Sequence, residues 1–154
     1  MIRHYKITDC DAVMSIWLDT TTTAHPFIPS SYWARNFLLV KKQVLPQSTT
    51  YVYEENGEIL GFISVLESEY IGALFVTGEK QGKGIGKALL NYCKENYDQL
   101  NLHVYTENKK AVTFYENNDF IIDETKINED TQKEEFAMSW VSNDLIDLLT
   151  SIQY

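Results

Sequence analysis

Three glycines at alternate positions separate an apolar strand pattern from a helix pattern in the middle of the chain. Gly82, Gly84 and Gly86 follow the apolar run at 73–76, and helical spacing of apolar residues begins directly after them. Glycines allow positive φ and a close approach of the backbone to a ligand, while a helix N-terminus offers N–H groups and a positive dipole end. The segment therefore predicts a cradle for an anion such as a phosphate.

Two common nucleotide-binding loops do not fit this spacing. A P-loop has four residues between its glycines and a Ser or Thr after its lysine, whereas three residues separate Gly82 from Gly86 and Ala88 follows Lys87. The dinucleotide fingerprint G-x-G-x-x-G fails because Lys87 stands where its third glycine belongs. A nucleotide-binding module is therefore the weakest of the hypotheses for this loop.

Positive charge is concentrated around the same glycines. The 154 residues carry a net charge of −9, yet six of the 13 basic residues lie within residues 80–110, against three acids. A local positive field favours phosphate there. The acidic remainder argues against nucleic acid as a partner and favours a cationic or amine acceptor.

Length and composition restrict the class of protein. With 44% hydrophobic residues, the chain can form one domain, which we place at 1–141, with 142–154 as a C-terminal helical extension of it. No apolar run is long enough for a membrane helix, and the first residues lack a signal-peptide core, so we expect a cytoplasmic protein without a membrane partner. The two cysteines, Cys10 and Cys93, have no metal-ligand spacing, so we expect no metal and two buried or half-buried thiols.

The hydrophobic patterns predict an α/β (α+β) fold. We expect a mixed, mostly antiparallel sheet of six to seven strands, in which strands four and five are parallel by the crossover rule, flanked by about four helices and a short C-terminal helix. Asn56-Gly57 predicts a hairpin, Pro46 is expected to end the second helix, and alternation places Tyr70, Gly72, Leu74 and Val76 on one face of the fourth strand. The predicted strands are 2–7, 50–54, 58–66, 67–76, 100–105, 120–125 and 134–140, and the last helices are 108–118 and 143–152.

A second motif lies about 25 residues after the glycines. It runs Asn108-Lys-Lys-Ala-Val-Thr-Phe-Tyr-Glu-Asn-Asn-Asp-Phe120. Together with the order Gln81-x-x-Gly84-x-Gly86, it resembles the two signatures of the GNAT superfamily of N-acetyltransferases. Asp119 stands where that family usually has Gly, but Asp tolerates left-handed backbone, so the helix can still end there.

The resemblance extends beyond the two motifs. The predicted element order is similar to the GNAT fold throughout residues 1–140, and His-Pro-Phe-Ile at 25–28 followed by Tyr32-Trp33 resembles small bacterial members of the family. The resemblance implies an N-acetyltransferase that moves an acetyl group from acetyl-CoA to a primary amine by direct attack in a ternary complex. It implies these cofactor-binding residues: Leu74, Phe75, Val76, Gln81, Gly82, Lys83, Gly84, Ile85, Gly86, Lys87, Asn108, Ala111, Phe114 and Tyr115.

The same resemblance implies catalytic residues and residues of the acceptor site. Tyr115 is expected to be the general acid, because a phenol can protonate a departing thiolate. Tyr70 occupies the position at which many relatives place a catalytic Glu, and Glu67, Glu69 and His25 remain alternatives for the base. The expected acceptor site consists of His25, Phe27, Tyr32, Trp33 and Tyr70.

The sequence leaves several alternatives open. A catalytically weak acyl-CoA-binding regulator would keep the cofactor loop without turnover, and the absence of Glu at position 70 is its support. The acceptor could be a small molecule, a protein lysine or a protein N-terminus, and an oligomer is compatible with the C-terminal helix. These alternatives predict different outcomes when the protein is given acyl-CoA and an amine.

Overall fold

The fold is given by a computed structural model, which describes residues 1–152. The described chain forms two compact units, Met1–Asn91 and Tyr92 onward. The predicted extension 142–154 is helical over 143–152, and its last two residues lie outside the described part. The elements of the first unit are β1 (Ile2–His4), α1 (Cys10–Ala24), α2 (Ser30–Leu39), α3 (Leu45–Gln47), β2 (Thr49–Glu55), β3 (Glu58–Leu66), β4 (Tyr70–Val76) and the start of α4 (Ile85–Asn96).

The second unit contains three strands and two further helices after the end of α4. They are β5 (Gln99–Tyr105), α5 (Lys109–Asn117), β6 (Ile121–Ile127), β7 (Glu134–Val141) and α6 (Asn143–Ile152). The numbers of strands and of long helices in the described chain thus agree with the prediction, and most predicted bounds hold within three residues.

The strands of the first unit pair antiparallel in the order β1-β2-β3-β4. The β2–β3 turn has Asn56 at φ 52° and Gly57 at φ 78°. Two consecutive positive φ angles are what a tight hairpin turn requires, and Asn and Gly accept them most readily. This confirms the hairpin that was predicted from Asn56-Gly57.

Helix α1 covers one face of this sheet. Its side chains Val13, Met14 and Trp17 form a buried cluster with Val52 of β2 and Phe62 of β3. Val13 and Met14 are each only 1% exposed. Burial of side chains of this size contributes about 1.5–3 kcal/mol each, so the cluster holds the first helix on the strands that precede the glycine loop.

A β-bulge in β4 contradicts the predicted alternation along that strand. Ser64 pairs with Ala73 but Val65 pairs with Ile71, so Gly72 is an additional residue in the ladder. Because directly opposed residues share a face, Tyr70 lies on the face of Ala73 and Phe75, which α1 covers. The prediction that Tyr70 shares a face with Leu74 and Val76 was therefore wrong.

The starts and ends of two other elements also differ from the prediction. Strand β4 begins at Tyr70, because residues 67–69 form a 3-10 turn with Ser68 at φ 62° and Glu69 at φ 60°. The second helix does not end at Pro46. After α2 the chain continues as a π-helix, Val40–Val44, and Pro46 lies in the first turn of α3, where its missing N–H is not needed.

The first strand ends at His4 rather than residue 7, because Asp9 organises the following turn. The Asp9 carboxylate accepts two hydrogen bonds from the Arg3 guanidinium, at 2.8 and 3.0 Å, and one from the backbone N–H of Lys6 at 2.8 Å. Arg3 Nε also donates to Glu54 of β2 at 2.7 Å. This network joins the first strand, the start of α1 and the second strand.

Asp9→Asn is expected to destabilise the protein by about 1–3 kcal/mol at neutral pH, since it weakens hydrogen bonds to a charged group at a buried position. The Arg3 hydrogen bonds lower the pKa of Asp9, so the unfolded chain binds its proton at a higher pH than the folded chain does. The stabilisation is therefore present above the ordinary carboxyl pKa of about 4 and lost as pH falls through the lower folded pKa. Denaturant unfolding of both proteins between about pH 7 and pH 2 measures it.

The control for this prediction is Asp11→Asn, which removes an exposed carboxylate two residues later, in the first turn of α1. It should change the free energy of unfolding by no more than about 0.5 kcal/mol. A deficit of the Asp9→Asn protein that stays constant across the pH range would contradict the charge-based explanation.

In the second unit the strands pair antiparallel in the order β5-β7-β6, and a turn in which Asn108 N–H donates to the Tyr105 carbonyl at 3.0 Å leads from β5 to α5. Asp119 adopts φ 71° just after α5, which confirms that this residue ends the helix in left-handed backbone. Lys94 Nζ donates to the carbonyl of Asn118 and lies 5.7 Å from the Phe120 ring and 5.0 Å from the Trp140 ring. These contacts fix the C-terminal end of α5.

Three features of the described residues bear on membrane association, metal binding and cysteine chemistry. Among the described residues, no helix is both long and apolar enough to cross a bilayer, and no group of three or more His, Cys, Asp or Glu side chains could hold a metal. Cys10 is half-buried and Cys93 is buried, and neither forms a disulfide, as the sequence predicted. Burial raises the pKa of the Cys93 thiol to about 12, so it remains protonated and unreactive at neutral pH.

Candidate active site

Two of the three glycines predicted to precede the helix have positive φ, whereas Gly86 lies in the first turn of α4. Gly82 has φ 76° and Gly84 has φ 88°. A Cβ atom at either position would meet no atom within 4 Å. Glycine is therefore required by the left-handed backbone, which turns successive peptide groups within the loop.

Helix α4 starts directly after this loop. Its first helical hydrogen bond runs from Ala88 N–H to the Gly84 carbonyl at 3.0 Å, so the N–H groups of Ile85, Gly86 and Lys87 precede the helical ladder. The Ile85 side chain is 6% exposed and lies against Gly61 of β3. Its Cγ2 methyl group would be 3.4 Å from a Cβ atom if Gly61 carried one. Burial of Ile85 thus fixes the helix end while its backbone N–H remains at the loop.

Gln81 connects the loop to the end of β4. Its side-chain amide donates from Nε2 to the Val76 carbonyl at 2.9 Å. This contact gives a physical reason for Gln at the first position of the motif, since a shorter side chain would not reach the strand. Lys83 and Lys87 are exposed and Lys80 is half-buried, so three ammonium groups accompany the loop.

Leu74, Phe75 and Val76, which are predicted to bind the cofactor, have backbone N–H groups that point in different directions. Thr77 N–H donates to the Leu60 carbonyl of β3 at 2.8 Å. Because N–H groups alternate along a strand, that of Phe75 also points to β3, whereas those of Leu74 and Val76 point to the opposite edge of β4. Only these two amides of the three are therefore directed away from β3.

Four of the five residues predicted for the acceptor site lie together, after the end of α1 and in the first turn of α2. The His25 ring centroid is 5.7 Å from Phe27 and 5.2 Å from Trp33, and Tyr32 lies 4.9 Å from Trp33. Trp33 also contacts Trp17 of α1 at 6.2 Å, edge to face. The aromatic cluster His25, Phe27, Tyr32 and Trp33 is thus anchored on the core of the first unit.

His25 is 7% exposed, and one contact identifies which of its ring nitrogens carries the proton. Its Nδ1 lies 2.6 Å from the Thr21 carbonyl, which can only accept, so Nδ1 carries the proton. Burial lowers the pKa of His25, and the bond to Thr21 only partly offsets that effect. His25 is therefore neutral at physiological pH, with Nε2 as the acceptor nitrogen.

Glu69 and Tyr70 occupy the turn into β4. Both are half-buried, and Glu69 follows Ser68 in left-handed backbone, which costs of order 1–3 kcal/mol for each non-glycine residue. Strained turns of this kind are concentrated at functional sites. Glu67 is exposed in the same turn.

Helix α5 carries the predicted residues of the second unit. Asn108 is the N-cap, and its Oδ1 accepts a hydrogen bond from Ala111 N–H at 3.3 Å. Tyr115 is 9% exposed, with its ring 5.2 Å from Phe114 and 5.4 Å from Phe120. Both motif residues therefore also have structural roles, Asn108 in starting the helix and Tyr115 in packing it.

The sequence did not single out Gly72 and Ala73, which form the bulge beside Leu74. A signal was present, because an isolated glycine within a strand pattern often marks a bulge. It was missed because regular alternation along 70–76 fitted the same letters. Bulges frequently occur beside active sites, so this position belongs to the candidate site.

A family model described as an acetyltransferase (GNAT) domain matches residues 21–136 of the chain. The match spans both units and includes the glycine loop, the aromatic cluster and α5.

Relatives with similar sequences extend this result. Peptidyl-lysine N-acetyltransferase YiaC of Escherichia coli is 36% identical over 140 residues, which cover 91% of this chain and 96% of the relative. Peptidyl-lysine N-acetyltransferase YjaB of Salmonella typhimurium is 30% identical over 115 residues, which cover 74% of this chain and 78% of the relative.

Among solved structures, apo-form YjaB from Escherichia coli aligns with a TM-score of 0.79 at 21% sequence identity. The alignment covers 92% of this chain and 97% of the YjaB chain. This likeness confirms the fold class that the sequence predicted.

Proposed function

Because the chain belongs to the GNAT acetyltransferase family, we propose that it transfers an acetyl group from acetyl-CoA to the side-chain amine of a protein lysine, by direct attack in a ternary complex. The observation that carries the proposal is the loop at 81–87, in which two left-handed glycines, three N–H groups at a helix start and nearby lysines meet at one place. This arrangement suits the pyrophosphate of coenzyme A.

The residues of the loop fit that donor in both charge and shape. The N–H groups of Ile85, Gly86 and Lys87 would donate to phosphate oxygens, and Lys83 would add a mobile positive charge. Gln81 holds the loop to β4, so the donors are arranged before the ligand binds. Coenzyme A supplies the activated thioester, and the chain contributes binding, orientation and proton transfer.

Transition-state stabilisation is assigned to β4. Negative charge develops on the thioester oxygen as the amine attacks, and a fixed N–H donor at that oxygen lowers the barrier. Leu74 and Val76 are the candidates, because their N–H groups point away from β3. Phe75 then serves mainly in packing against α1, where it is part of the core surroundings.

Proton transfer requires an acid and a base. Tyr115 is proposed to give its phenolic proton to the departing thiolate, and its buried ring on α5 would keep the hydroxyl in one position. Glu69 is proposed as the base that removes a proton from the ammonium of the acceptor, directly or through water. The strained turn at Ser68 and Glu69 supports this assignment.

A lysine acceptor is supported by three observations. The two curated relatives named above are peptidyl-lysine N-acetyltransferases, the remainder of the chain outside 80–110 is strongly acidic, and the aromatic cluster at α1 and α2 can contact an aliphatic chain that ends in a cation. Asn108, Ala111 and Phe114 on α5 would line the pantetheine arm. Tyr70 would contact the acceptor.

The proposal can be tested with labelled acetyl-CoA and two peptides. One peptide has a blocked N-terminus and a single lysine, and its matched control has arginine in place of that lysine. Acetylation of the lysine Nζ, seen by mass spectrometry together with an equal release of free coenzyme A, is the expected result.

Two other outcomes would contradict the proposal in distinguishable ways. Tight binding of acetyl-CoA by calorimetry without acetylation of any amine in a panel of lysine peptides, free N-termini and polyamines would favour the regulatory alternative. Failure to bind coenzyme A at all would remove the basis of the assignment.

A further inference from the structure

We infer that a cavity at the Gly72 bulge is a pocket for the acyl chain, so that the protein transfers propionyl and butyryl groups as well as acetyl. The inference rests on the proposed function, because it extends the range of donors at the same site. It follows from the position, polarity and size of the cavity.

The cavity lies within the first unit, beneath α1. Its volume is about 70 Å³, and its wall includes Trp17 of α1, Val44 of the π-helix, Ser64 of β3 and the bulge residues Gly72 and Ala73. A β-bulge and a π-helix, two irregular segments that often occur at functional sites, thus border the same space.

The cavity is apolar although two serines line it. The Ser64 hydroxyl is 2.7 Å from that of Thr50, and the Ser48 hydroxyl donates to the Val44 carbonyl at 2.7 Å. Both hydroxyls are therefore already hydrogen-bonded within the protein. A water molecule needs two to four polar partners, whereas an apolar cavity stays dry and accepts small apolar groups. The chemistry of the wall therefore favours a short aliphatic chain.

The position of the cavity suits an acyl chain attached to the proposed thioester site. Ala73 lines the cavity and is adjacent to Leu74, whose N–H is assigned to the thioester oxygen. Neighbouring residues of a strand are about 3.3 Å apart, which is close to the reach of two carbon–carbon bonds. A larger side chain at position 73 would fill this space, so the small Ala73 is what keeps it open.

The size of the cavity sets an upper limit to the chain. An apolar cavity of about 150 Å³ binds benzene, which has six carbons, so a cavity of about 70 Å³ has room for about three carbons. The cavity therefore accommodates the additional carbons of propionyl and butyryl groups. A hexanoyl group, with four additional carbons, exceeds it.

The transfer step is the same for each donor. Once the ammonium has given one proton to the base, the neutral amine nitrogen forms a bond to the acyl carbon and the carbon–sulfur bond breaks. The nitrogen then loses one further proton, and the thiolate gains one. Chain length changes only the group that occupies the cavity. No further reactant is needed.

The test compares acetyl-, propionyl-, butyryl- and hexanoyl-CoA with the same lysine peptide. For the unmodified protein, kcat/KM with propionyl-CoA and butyryl-CoA should lie within about tenfold of that with acetyl-CoA, and hexanoyl-CoA should be at least roughly 100-fold poorer. Propionyl-CoA at least 100-fold poorer than acetyl-CoA would overturn the inference alone. Absence of turnover with every donor would overturn both the inference and the proposed function.

Ala73→Val fills the cavity and provides the second measurement. It should lower kcat/KM for propionyl- and butyryl-CoA by roughly tenfold or more relative to acetyl-CoA. Ala137→Val, the same change in strand β7, should leave the donor ratios unchanged. Equal losses with all donors, or a raised KM for the peptide at constant donor ratios, would show that the cavity does not hold the acyl chain. The donor series of the unmodified protein decides the question if Ala73→Val does not fold.

Discussion

Tyr115→Phe is expected to lower kcat by roughly 10²- to 10⁴-fold, the usual contribution of a positioned general acid. The substitution removes only the hydroxyl, and the ring contacts with Phe114 and Phe120 can persist. The dissociation constant for acetyl-CoA should therefore change by less than about threefold. Steady-state kinetics and calorimetry on the same preparation measure the two effects.

Tyr97→Phe is the matched control for this prediction. It also removes one phenolic hydroxyl from the second unit, but at the residue that follows α4, outside both sequence motifs. Its kcat should stay within about twofold of the unmodified protein. Equal turnover of the Tyr115→Phe and unmodified proteins would remove Tyr115 from the mechanism.

Gly84→Ala is expected to weaken acetyl-CoA binding by roughly 10- to 100-fold. An alanine is strained at φ 88°, so the loop has to rearrange and at least one N–H donor to the pyrophosphate is displaced. A hydrogen bond to a charged group contributes about 1.5–3 kcal/mol, and each 1.4 kcal/mol corresponds to a tenfold change in affinity. Calorimetric titration with coenzyme A and with acetyl-CoA measures it.

Gly57→Ala separates loss of binding from loss of stability. Gly57 has φ 78° and an open surrounding, like Gly84, but it lies in the β2–β3 hairpin. The two substitutions should therefore lower the free energy of unfolding by similar amounts, while only Gly84→Ala weakens coenzyme A binding. Similar affinities for the two variants would contradict the role of the loop.

Some features of the fold could be predicted because they depend on neighbouring residues alone. Asn56-Gly57 determines a hairpin, since few residues accept two consecutive positive φ angles. Asn108 determines a helix start and Asp119 a helix end, because the side chain of the first and the backbone of the second satisfy local requirements. The left-handed backbone at Gly82 and Gly84 could be predicted for the same reason, whereas Gly86 lies inside α4.

Other features depend on packing between segments that are distant in sequence. The bulge at Gly72 arises from the pairing of β4 with β3, and it moves Tyr70 to the face that α1 covers. The alternation of side chains could not reveal this, because one additional residue in the ladder reverses the direction of all the residues before it. The same holds for the π-helix at 40–44, which lies within the segment predicted as a second helix that ends at Pro46.

The sequence by itself determined the local chemistry of this protein: the glycine loop, its lysines, the helix caps and the family to which these motifs point. The reason is that backbone conformation and charge at such sites are set by a few consecutive residues. Only the tertiary structure decided which amides of β4 point away from β3, how His25 is protonated and where the apolar cavity lies. Those properties depend on burial and strand pairing, which bring residues far apart in the chain into contact.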